Sequence, residues 1–328
     1  MRALFYTNPN EMAYRAAPAP IVTEGELLVQ ITAAGICGSD MHAYHGHDAR
    51  RVPPMVLGHE AAGVVLNGAR AGQQVALNPL ITCGDCFYCK LGRSNLCANR
   101  AMLGMSRQGA MAEQVTIPAA FAMPTAPNMN PVHASLMEPT ACAWHAIDLV
   151  ERAAFYPLAE SKILVIGAGA IGILTALLMH HRGCRDIHLS DTNPLRRRSA
   201  ENLNIAHVHD ARELVVSAEY DIVFDAVGST ITRQTAVKAV RTGGVVMHIG
   251  LQNGGGDFDA RKITLDEIAF LGTYTYTVSD LQQSLNVLND GSLGDLSWVE
   301  VRSLADGARA FTDLDGGKTA SAKIVLAP

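Results

Sequence analysis

Residues Lys162–Asp191 read KILVIGAGAIGILTALLMHHRGCRDIHLSD. Ile163–Ile166 is a short β-branched apolar run, which is typical of a buried parallel strand. The pattern G-x-G-x-x-G follows, with its glycines at Gly167, Gly169 and Gly172. At a strand-to-helix turn such glycines permit a tight turn, close approach of a pyrophosphate and close packing of helix on strand. A helix over 173–180 and a second strand over 187–190 come next, so the stretch predicts a dinucleotide-binding βαβ unit.

Asp191 ends that second strand, 19 residues after Gly172. A carboxylate at this position accepts hydrogen bonds from the ribose hydroxyls of the adenosine half and would repel a 2′-phosphate, so it favours NAD over NADP. Three arginines follow it, at Arg196, Arg197 and Arg198. We expect Arg196 to reach the ribose or the pyrophosphate, and the other two to lie on a solvated helix face.

The chain on either side of this unit has a different pattern. Its 328 residues are enough for about two domains. Short alternating runs punctuated by Gly and Pro fill residues 1–142 and predict a compact β-rich domain. Strands and helices alternate over 143–276, which predicts a doubly wound parallel sheet, and residues 277–328 are expected to return to the first domain. The predicted fold class is therefore α/β plus β.

Ligands of open α/β sheets bind beyond the carboxyl ends of the strands. Besides the glycine-rich turn, this rule adds to the candidate cofactor site the residues after two later strands: Val227, Ile249, Gly250 and Leu251.

Composition narrows the possible partners and the compartment. The net charge is −5 and no basic block is long enough to bind nucleic acid. The apolar run at 163–179 is slightly short for a membrane span and contains three glycines. The first residues lack the pattern of a signal peptide, which favours the cytoplasm. In that compartment the seven cysteines are more typical of metal ligands than of disulfides.

Four of these cysteines form C-x2-C-x2-C-x7-C, at Cys83, Cys86, Cys89 and Cys97. Four thiolates close a tetrahedral shell around zinc with no position left for a substrate, which is the arrangement of a structural site. An iron–sulfur cluster is the alternative for the same four ligands. Gly84, Asp85, Lys90 and Gly92 indicate that the cysteines belong to an exposed loop.

A second candidate metal set is separate from the first. It consists of Cys37-Gly-Ser39-Asp-Met-His42 and of Gly58-His59-Glu60. A catalytic zinc site needs three protein ligands and one open position, so a third ligand must join Cys37 and His59. Glu60 and Glu138 are the candidates. The two sets together predict about two zinc ions per chain.

The order of these motifs resembles the zinc-dependent medium-chain dehydrogenases, and within them the polyol branch of sorbitol, galactitol and L-idonate dehydrogenases. The motifs are Cys-x-Ser-x-x-His, Gly-His-Glu, the four-cysteine lobe, Glu-Pro, GAGAIG and the acid at Asp191. The resemblance covers essentially the whole chain. It implies a GroES-like catalytic domain joined to a Rossmann domain, a homo-oligomer such as a dimer or a homotetramer, and the cofactors zinc and NAD.

The resemblance also implies roles for single residues. The ligands of the catalytic zinc, some of them through water, would be Cys37, His59, Glu60 and Glu138. Ser39 and His42 would pass the proton of the substrate onward. Further positions would contact the cofactor: Ile171, Asp191, Arg196, Leu251, Thr273 and Thr275. The sorbitol enzymes have a substrate-side tyrosine after the relay-region histidine, whereas this chain has Ala43.

The expected activity is hydride transfer between NAD and a secondary alcohol of a polyol or sugar acid. A threonine-type or simple secondary-alcohol dehydrogenase is the alternative within the same superfamily. A non-catalytic NAD- and zinc-binding module is the alternative from another class, although such a module would need no proton relay. The third zinc ligand is also open between Glu138, as in the polyol branch, and Cys142, as in simple alcohol dehydrogenases. We favour Glu138, because a carboxylate leaves zinc more electrophilic than a second thiolate would.

Overall fold

The computed structural model describes all residues, 1–328, and they divide into two compact units. The first unit consists of Met1–Glu138, Thr277–Lys318 and Lys323–Pro328. The second unit consists of Pro139–Tyr276 and Thr319–Ala322. The first unit is therefore discontinuous in sequence, with the second inserted into it.

The N-terminal part of the first unit is rich in β-structure. Its strands and helices are β1 (Arg2–Asn8), β2 (Glu11–Ala16), β3 (Glu26–Gly35), α1 (Gly38–Tyr44), β4 (Met55–Val56), β5 (Glu60–Val65), β6 (Gln74–Leu77), β7 (Leu80–Ile81), α2 (Phe87–Lys90), β8 (Ala101–Met102), β9 (Gln114–Pro118), β10 (Ala122–Pro124) and α3 (Pro131–Ser135). Strands β7 and β8 form a small separate sheet that flanks the four-cysteine segment.

The second unit alternates strands and helices. Its elements, with the helix that leads into it, are α4 (Met137–Ala153), β11 (Ile163–Ile166), α5 (Ala170–His181), β12 (Ile187–Asp191), α6 (Pro194–Glu201), β13 (His207–Asp210), β14 (Tyr220–Asp225), α7 (Thr230–Ala239), β15 (Val240–His248), α8 (Ala260–Leu265) and β16 (Ala269–Gly272). The six strands lie in the order β13-β12-β11-β14-β15-β16 and every pair is parallel. This is the strand order of a Rossmann sheet, which confirms the predicted fold class.

Burial explains why the central strands read as continuous apolar runs. All four residues of β11 and all six of β14 are buried, because helices cover both faces of a parallel sheet. The structure ends α7 at Ala239, and Val240 already begins β15.

The C-terminal segment returns to the first unit through α9 (Val278–Asn289), β17 (Val299–Ser303), α10 (Gly307–Asp315) and β18 (Lys323–Ala327). There β18 and β17 extend a mixed sheet in the order β10-β6-β5-β3-β18-β17, and β9 also pairs with β3. None of the ten α-helices combines the length and apolar composition that crossing a membrane requires.

Candidate active site

The register of two antiparallel strands brings the catalytic metal candidates together. Gly35, near the end of β3, pairs with Glu60 at the start of β5. Cys37 follows β3 as the N-cap of α1, and His59 immediately precedes β5. The Cys37 sulfur, a ring nitrogen of His59 and a carboxylate oxygen of Glu60 consequently lie within 4.8 Å of one another. A thiolate, an imidazole and a carboxylate at this spacing fit the ligand set of a catalytic zinc ion.

Gly35 is required for this arrangement. A Cβ atom at that position would lie 2.1 Å from Oε2 of Glu60, a distance that no real contact allows. The absence of a side chain at the end of β3 therefore leaves the space that the Glu60 carboxylate fills.

Asp40 orients the imidazole of His59. It is fully buried, its Oδ2 accepts a hydrogen bond from the backbone N–H of Cys37 at 3.0 Å, and its Oδ1 lies 3.4 Å from Nδ1 of His59. A carboxylate beside Nδ1 favours a proton on that nitrogen, which would leave Nε2 for a metal ion, as at zinc sites where an outer carboxylate supports the histidine.

The electrostatics of this pocket favour a cation. Burial alone would lower the pKa of His59, but the Asp40 carboxylate and the Cys37 sulfur outweigh it and hold that pKa well above its usual range. A pocket that draws a proton onto a fully buried imidazole also stabilises a divalent cation in the place of that proton.

Lys323 holds Glu60 from behind. Its Nζ donates to both carboxylate oxygens, at 2.7 and 2.6 Å, and to the backbone carbonyl of Ile36 at 2.9 Å. Both side chains are buried, with 2% and 1% of their surface exposed. Burial lowers the pKa of Lys323, but Glu60, Cys37 and Glu138 outweigh it and raise that pKa. Lys323 was not singled out from sequence, because it begins β18 as a single cation before four apolar or small residues.

Glu138 lies near this group without joining it. It is buried at the start of α4 with 4% of its surface exposed, and its carboxylate is not among the three donors that lie within 4.8 Å of one another. Cys142 lies one turn further along the same helix. The choice between them as a zinc ligand stays a prediction.

The candidate proton relay starts beside the metal group. The Ser39 hydroxyl lies 3.4 Å from Nε2 of His59, and Arg51 donates to both the Ser39 hydroxyl and its carbonyl, at 3.2 and 2.8 Å. Arg51 is buried and was not singled out from sequence. Burial and the nearby His47, His45 and Arg51 lower the pKa of His42, so at neutral pH its imidazole is uncharged and able to accept a proton.

The four cysteines of the lobe form a second metal group. Their sulfurs lie within 4.8 Å of one another, with Cys97 and Cys83 sulfurs 3.5 Å apart. Backbone N–H groups of Asp85 and Cys86 lower the pKa of the Cys83 thiol to about 6, whereas burial and Cys86 raise that of Cys89 to about 11. No disulfide joins any of the seven cysteines of the chain. Four convergent sulfurs with no disulfide among them fit a structural zinc ion.

The glycine-rich turn has the close contacts that its sequence predicts. Gly167 has a φ of +101°, in the left-handed region that favours glycine. A Cβ at Gly172 would lie 1.8 Å from the carbonyl oxygen of Gly167, so the first turn of α5 packs directly on the end of β11. Ile171 lies in that first turn, and Gly169 is its N-cap. The backbone N–H groups of such a turn fit a pyrophosphate.

Asp191 ties this turn to the neighbouring strand. Its Oδ2 accepts a hydrogen bond from the Ala168 N–H at 2.8 Å, and its Oδ1 accepts one from the Asn193 N–H at 2.7 Å. The carboxylate is therefore held at the carboxyl end of β12, beside the glycine-rich turn, where a ribose would lie.

One expectation about the arginines is wrong. Arg197 is not on a solvated face: its side chain is 18% exposed, it donates to the Asp191 carbonyl at 3.1 Å and it pairs with Asp210 at 2.8 Å. Arg198 is exposed, as predicted. The Nε atom of Arg196 is buried without a hydrogen-bond partner.

Two later turns meet at the same edge of the sheet. A Cβ at Gly250 would lie 2.1 Å from the carbonyl carbon of Val227, so the segments after β14 and β15 touch backbone to backbone. Ile249 precedes Gly250, and Leu251 after it is 72% exposed. The Thr273 and Thr275 hydroxyls, which follow β16, are buried without a hydrogen-bond partner. Unsatisfied buried hydroxyls at the carboxyl ends of the strands fit a polar cofactor.

Comparisons with known proteins agree with this geometry. A family model described as the alcohol dehydrogenase GroES-like domain matches residues 23–127, and one described as zinc-binding dehydrogenase matches residues 170–290. L-galactonate-5-dehydrogenase of Escherichia coli is 30% identical, with 89% of this chain and 88% of that protein covered. L-threonine 3-dehydrogenase of a Chelativorans species is 28% identical, with coverages of 99% and 98%. A solved structure from Sinorhizobium meliloti, described as a zinc-binding dehydrogenase bound to NADP, has a TM-score of 0.88 at 26% identity, with coverages of 100% and 99%.

The chain belongs to the zinc-binding, medium-chain alcohol dehydrogenase family. It is an oxidoreductase that moves a hydride between an alcohol carbon and a nicotinamide dinucleotide. Membership of this family confirms the predicted enzyme class, with zinc and a nicotinamide as its cofactors.

The buried pair of Lys323 and Glu60 generates a test of stability. Removing one partner of a buried ion pair costs about 3–5 kcal/mol, whereas replacing both with apolar residues is often nearly neutral. We expect Lys323→Met to lower the free energy of unfolding by that amount in urea denaturation, and Lys323→Met/Glu60→Leu to recover most of it. Lys318→Met, at an exposed position, is the matched control and should change it by less than about 0.5 kcal/mol. A double variant as unstable as the single one would contradict the assignment.

Proposed function

We propose that the enzyme interconverts a secondary alcohol of a sugar acid or polyol and the corresponding ketone, with NAD as hydride acceptor. The observation that carries the proposal is the convergence of Cys37, His59 and Glu60 within 4.8 Å, with the Ser39 hydroxyl beside the imidazole. A structural protein would need the metal ligands but not a hydroxyl placed to receive a substrate proton.

The residues divide the work as follows. Cys37 and His59 would hold the metal ion. Both oxygens of Glu60 already accept hydrogen bonds from Lys323, so Glu60 would act as an exchanging ligand or as outer support, and Glu138 would complete the protein ligands. When bound, zinc lowers the pKa of an alcohol as a Lewis acid, and the nicotinamide accepts the hydride. Ser39, fixed by Arg51, accepts the proton of the substrate hydroxyl.

From Ser39 the proton passes to His42, whose lowered pKa leaves its imidazole free to accept it, and then to solvent. In the reverse direction the same groups return a proton to the oxygen of the alcohol that forms.

Polar groups along the segment after α1 support a hydroxyl-rich substrate. His45 and His47 have ring centroids 5.6 Å apart, and both influence the pKa of His42. His45 also lies 2.6 Å from the Asp315 carboxylate, which fixes its ring. Imidazole donors and acceptors close to the relay suit a polyol or sugar acid better than a simple apolar alcohol. The L-galactonate relative points to the same substrate class, and the L-threonine relatives make threonine the second candidate.

NAD is the proposed cofactor because Asp191 presents a carboxylate where a 2′-phosphate would lie. The NADP-bound relative makes this choice a point to test. We also propose that the enzyme is a cytoplasmic homo-oligomer, either a dimer or a homotetramer. Light scattering of the purified enzyme would determine the number of subunits.

A turnover assay separates the candidate functions. We expect NAD reduction with an aldonate such as L-galactonate or with an alditol, and at least about tenfold lower kcat/KM with L-threonine and with 2-butanol. Cys37→Ser should abolish turnover because it removes a zinc ligand. If L-threonine were the best substrate, the threonine dehydrogenase hypothesis would replace the polyol or sugar-acid hypothesis. Zinc-loaded protein that binds NAD but turns over none of the panel would be a binding module.

Substitution of Asp191 tests the proposed cofactor choice. Asp191→Ser removes the charge that repels a 2′-phosphate and replaces a charge-assisted hydrogen bond, whose loss costs roughly 1.5–3 kcal/mol. We expect the ratio of kcat/KM for NAD to that for NADP to fall about 10- to 100-fold. Glu201→Ser, at the exposed end of α6, is the control and should leave the ratio unchanged. Equal use of both cofactors by the wild type would rule out the assignment of Asp191.

Substitution of Glu138 and of Cys142 tests which residue is the remaining zinc ligand. Mutating a residue that hydrogen-bonds to a metal ligand typically lowers metal affinity or activity 10- to 100-fold. Loss of a direct ligand should therefore lower activity at least about 100-fold. We expect Glu138→Ala to lose that much activity and to release the catalytic zinc on mild chelation, while Cys142→Ala stays within a few-fold of wild type. Zinc content and kcat are measured on the same preparations. A silent Glu138→Ala with an inactive Cys142→Ala would instead place this chain with the simple alcohol dehydrogenases.

A further inference from the structure

A buried arginine on helix α7 joins two turns at the carboxyl edge of the parallel sheet. Arg233 is 7% exposed and lies near the start of α7. Its Nη1 donates to the backbone carbonyls of Gly228 at 2.9 Å and of Asn253 at 3.0 Å. Its Nη2 donates to the side-chain oxygen of Asn253 at 3.0 Å and to the backbone carbonyl of Gly255. One side chain therefore bridges the turn after β14 and the segment after β15.

The bridged turns are continuous with the glycine-rich turn. A Cβ atom at Gly167 would lie 2.6 Å from a side-chain carbon of Val227, so the turns after β11 and β14 are in contact. A Cβ atom at Gly228 would lie 1.9 Å from the carbonyl oxygen of Gly250, so the turns after β14 and β15 are in contact too. Because close-packed segments leave no free space between them, a displacement of one turn is passed to its neighbours.

The segment after β15 depends on side chains of α7 for its position. Residues 249–259 form neither a helix nor a strand. Backbone N–H groups dock the segment on the turn after β14 only as far as Asn253, whose N–H donates to the Gly228 carbonyl at 3.1 Å. Further on, Thr230 donates to the Gly255 carbonyl at 2.9 Å and Gln234 to the Asp257 carbonyl at 3.0 Å. Both of these donors are less buried than the arginine between them.

The chemistry of the guanidinium group suits this task. Its five N–H donors lie in one rigid plane, so it can hold two segments at a fixed spacing, whereas a lysine ammonium is a point charge on a flexible stem. The oxygens that accept hydrogen bonds from Arg233 are all neutral, and they belong to backbone carbonyls, an amide and a hydroxyl. Arg233 therefore orders the backbone of these turns rather than neutralising a carboxylate.

We propose that Arg233 is a positioning residue for the nicotinamide dinucleotide, and that it holds the turn after β14 and the segment after β15 at the spacing the cofactor needs. The proposal rests on the proposed function, which places the cofactor against Val227, Gly250 and Leu251 at this edge. Leu251 is 72% exposed and begins the segment that the guanidinium fixes. Without Arg233 the cofactor would have to order this segment when it binds, and that cost lowers its affinity.

Titration of the zinc-loaded enzyme with NADH, without an alcohol, tests the proposal. We expect Arg233→Met to raise the Kd for NADH about tenfold, which is the effect of losing one charge-assisted hydrogen bond. Arg233→Lys should lie between Arg233→Met and the wild type, because an ammonium serves fewer of the carbonyls. Lys238→Met, at an exposed position of the same helix, is the matched control and should bind NADH as the wild type does. In turnover assays the KM for NAD should rise in the same proportion as the Kd.

A substitution on the other side of the contact separates positioning from stability. Asn253 is exposed, so Asn253→Ala should keep the unfolding temperature of the wild type while it raises the Kd for NADH by a smaller factor. Arg233→Met/Asn253→Ala should bind NADH no more weakly than Arg233→Met alone, because both changes act through one contact.

A purely structural role for Arg233 would lower the unfolding temperature and leave the Kd for NADH unchanged well below that temperature. That result overturns the proposal, as does a double variant whose effects on the Kd are additive. If Arg233→Met does not fold, control-level binding of NADH by both Arg233→Lys and Asn253→Ala overturns it instead. A wild type that binds neither NADH nor NADPH would contradict the proposed function itself, and this inference with it.

Discussion

The end of strand β3 carries the constraint on which the first unit depends. Gly35 pairs with Glu60 of β5 on one side and with Val325 of β18 on the other. These two pairings fix the register of β5 and of β18 against β3. They therefore also fix the positions of the residues next to the paired ones: His59 before β5, Lys323 at the start of β18 and Cys37 just beyond β3. A shift of one residue in either pairing would turn these side chains to the opposite face. The metal group is therefore a product of sheet register as much as of ligand chemistry.

The second unit builds its site by a different rule. Its parallel strands end at one edge, so the turns after β11, β12, β14 and β15 collect there whatever their sequence separation. Backbone approaches such as Gly172 to Gly167 and Gly250 to Val227 leave no room for a Cβ atom. The first unit relies on pairing register and buried charge, whereas the second relies on small residues at the ends of strands.

What could be predicted from the sequence was local. The glycine-rich turn and the four-cysteine lobe are short patterns whose physical requirements lie within one segment, and the structure has the predicted turn and brings the four sulfurs together. Residue type alone made Cys37, His59, Glu60 and Glu138 candidate ligands of a second metal site, but it could not show which of them converge, because the donors come from segments at the ends of two separate strands. The roles assigned to single residues remain predictions.

What could not be predicted involves partners far apart in sequence. Lys323 meets Glu60 across 263 residues, and a lone lysine before an apolar strand gives no sign of its partner. Arg51 and Arg197 read as ordinary surface cations, yet one holds Ser39 and the other bridges two strands. Each of these pairings exists only because the sheet brings separate segments together, so composition and spacing carry no signal for it.

The discontinuity of the first unit has a consequence for how the chain is made. A ribosome releases the residues in order, so Cys37, His59 and Glu60 emerge before the inserted second unit, and Lys323 emerges after it. Until then the Glu60 carboxylate has no cation to neutralise it, and the edge of β3 that β18 will cover is bare. Domains generally fold as units during synthesis, and an exposed strand edge invites pairing with other chains. During synthesis there is thus a period in which the metal-ligand segments of the first unit have been translated but β18 has not. The protection of the nascent unit against aggregation depends on how quickly β18 is made and pairs with β3.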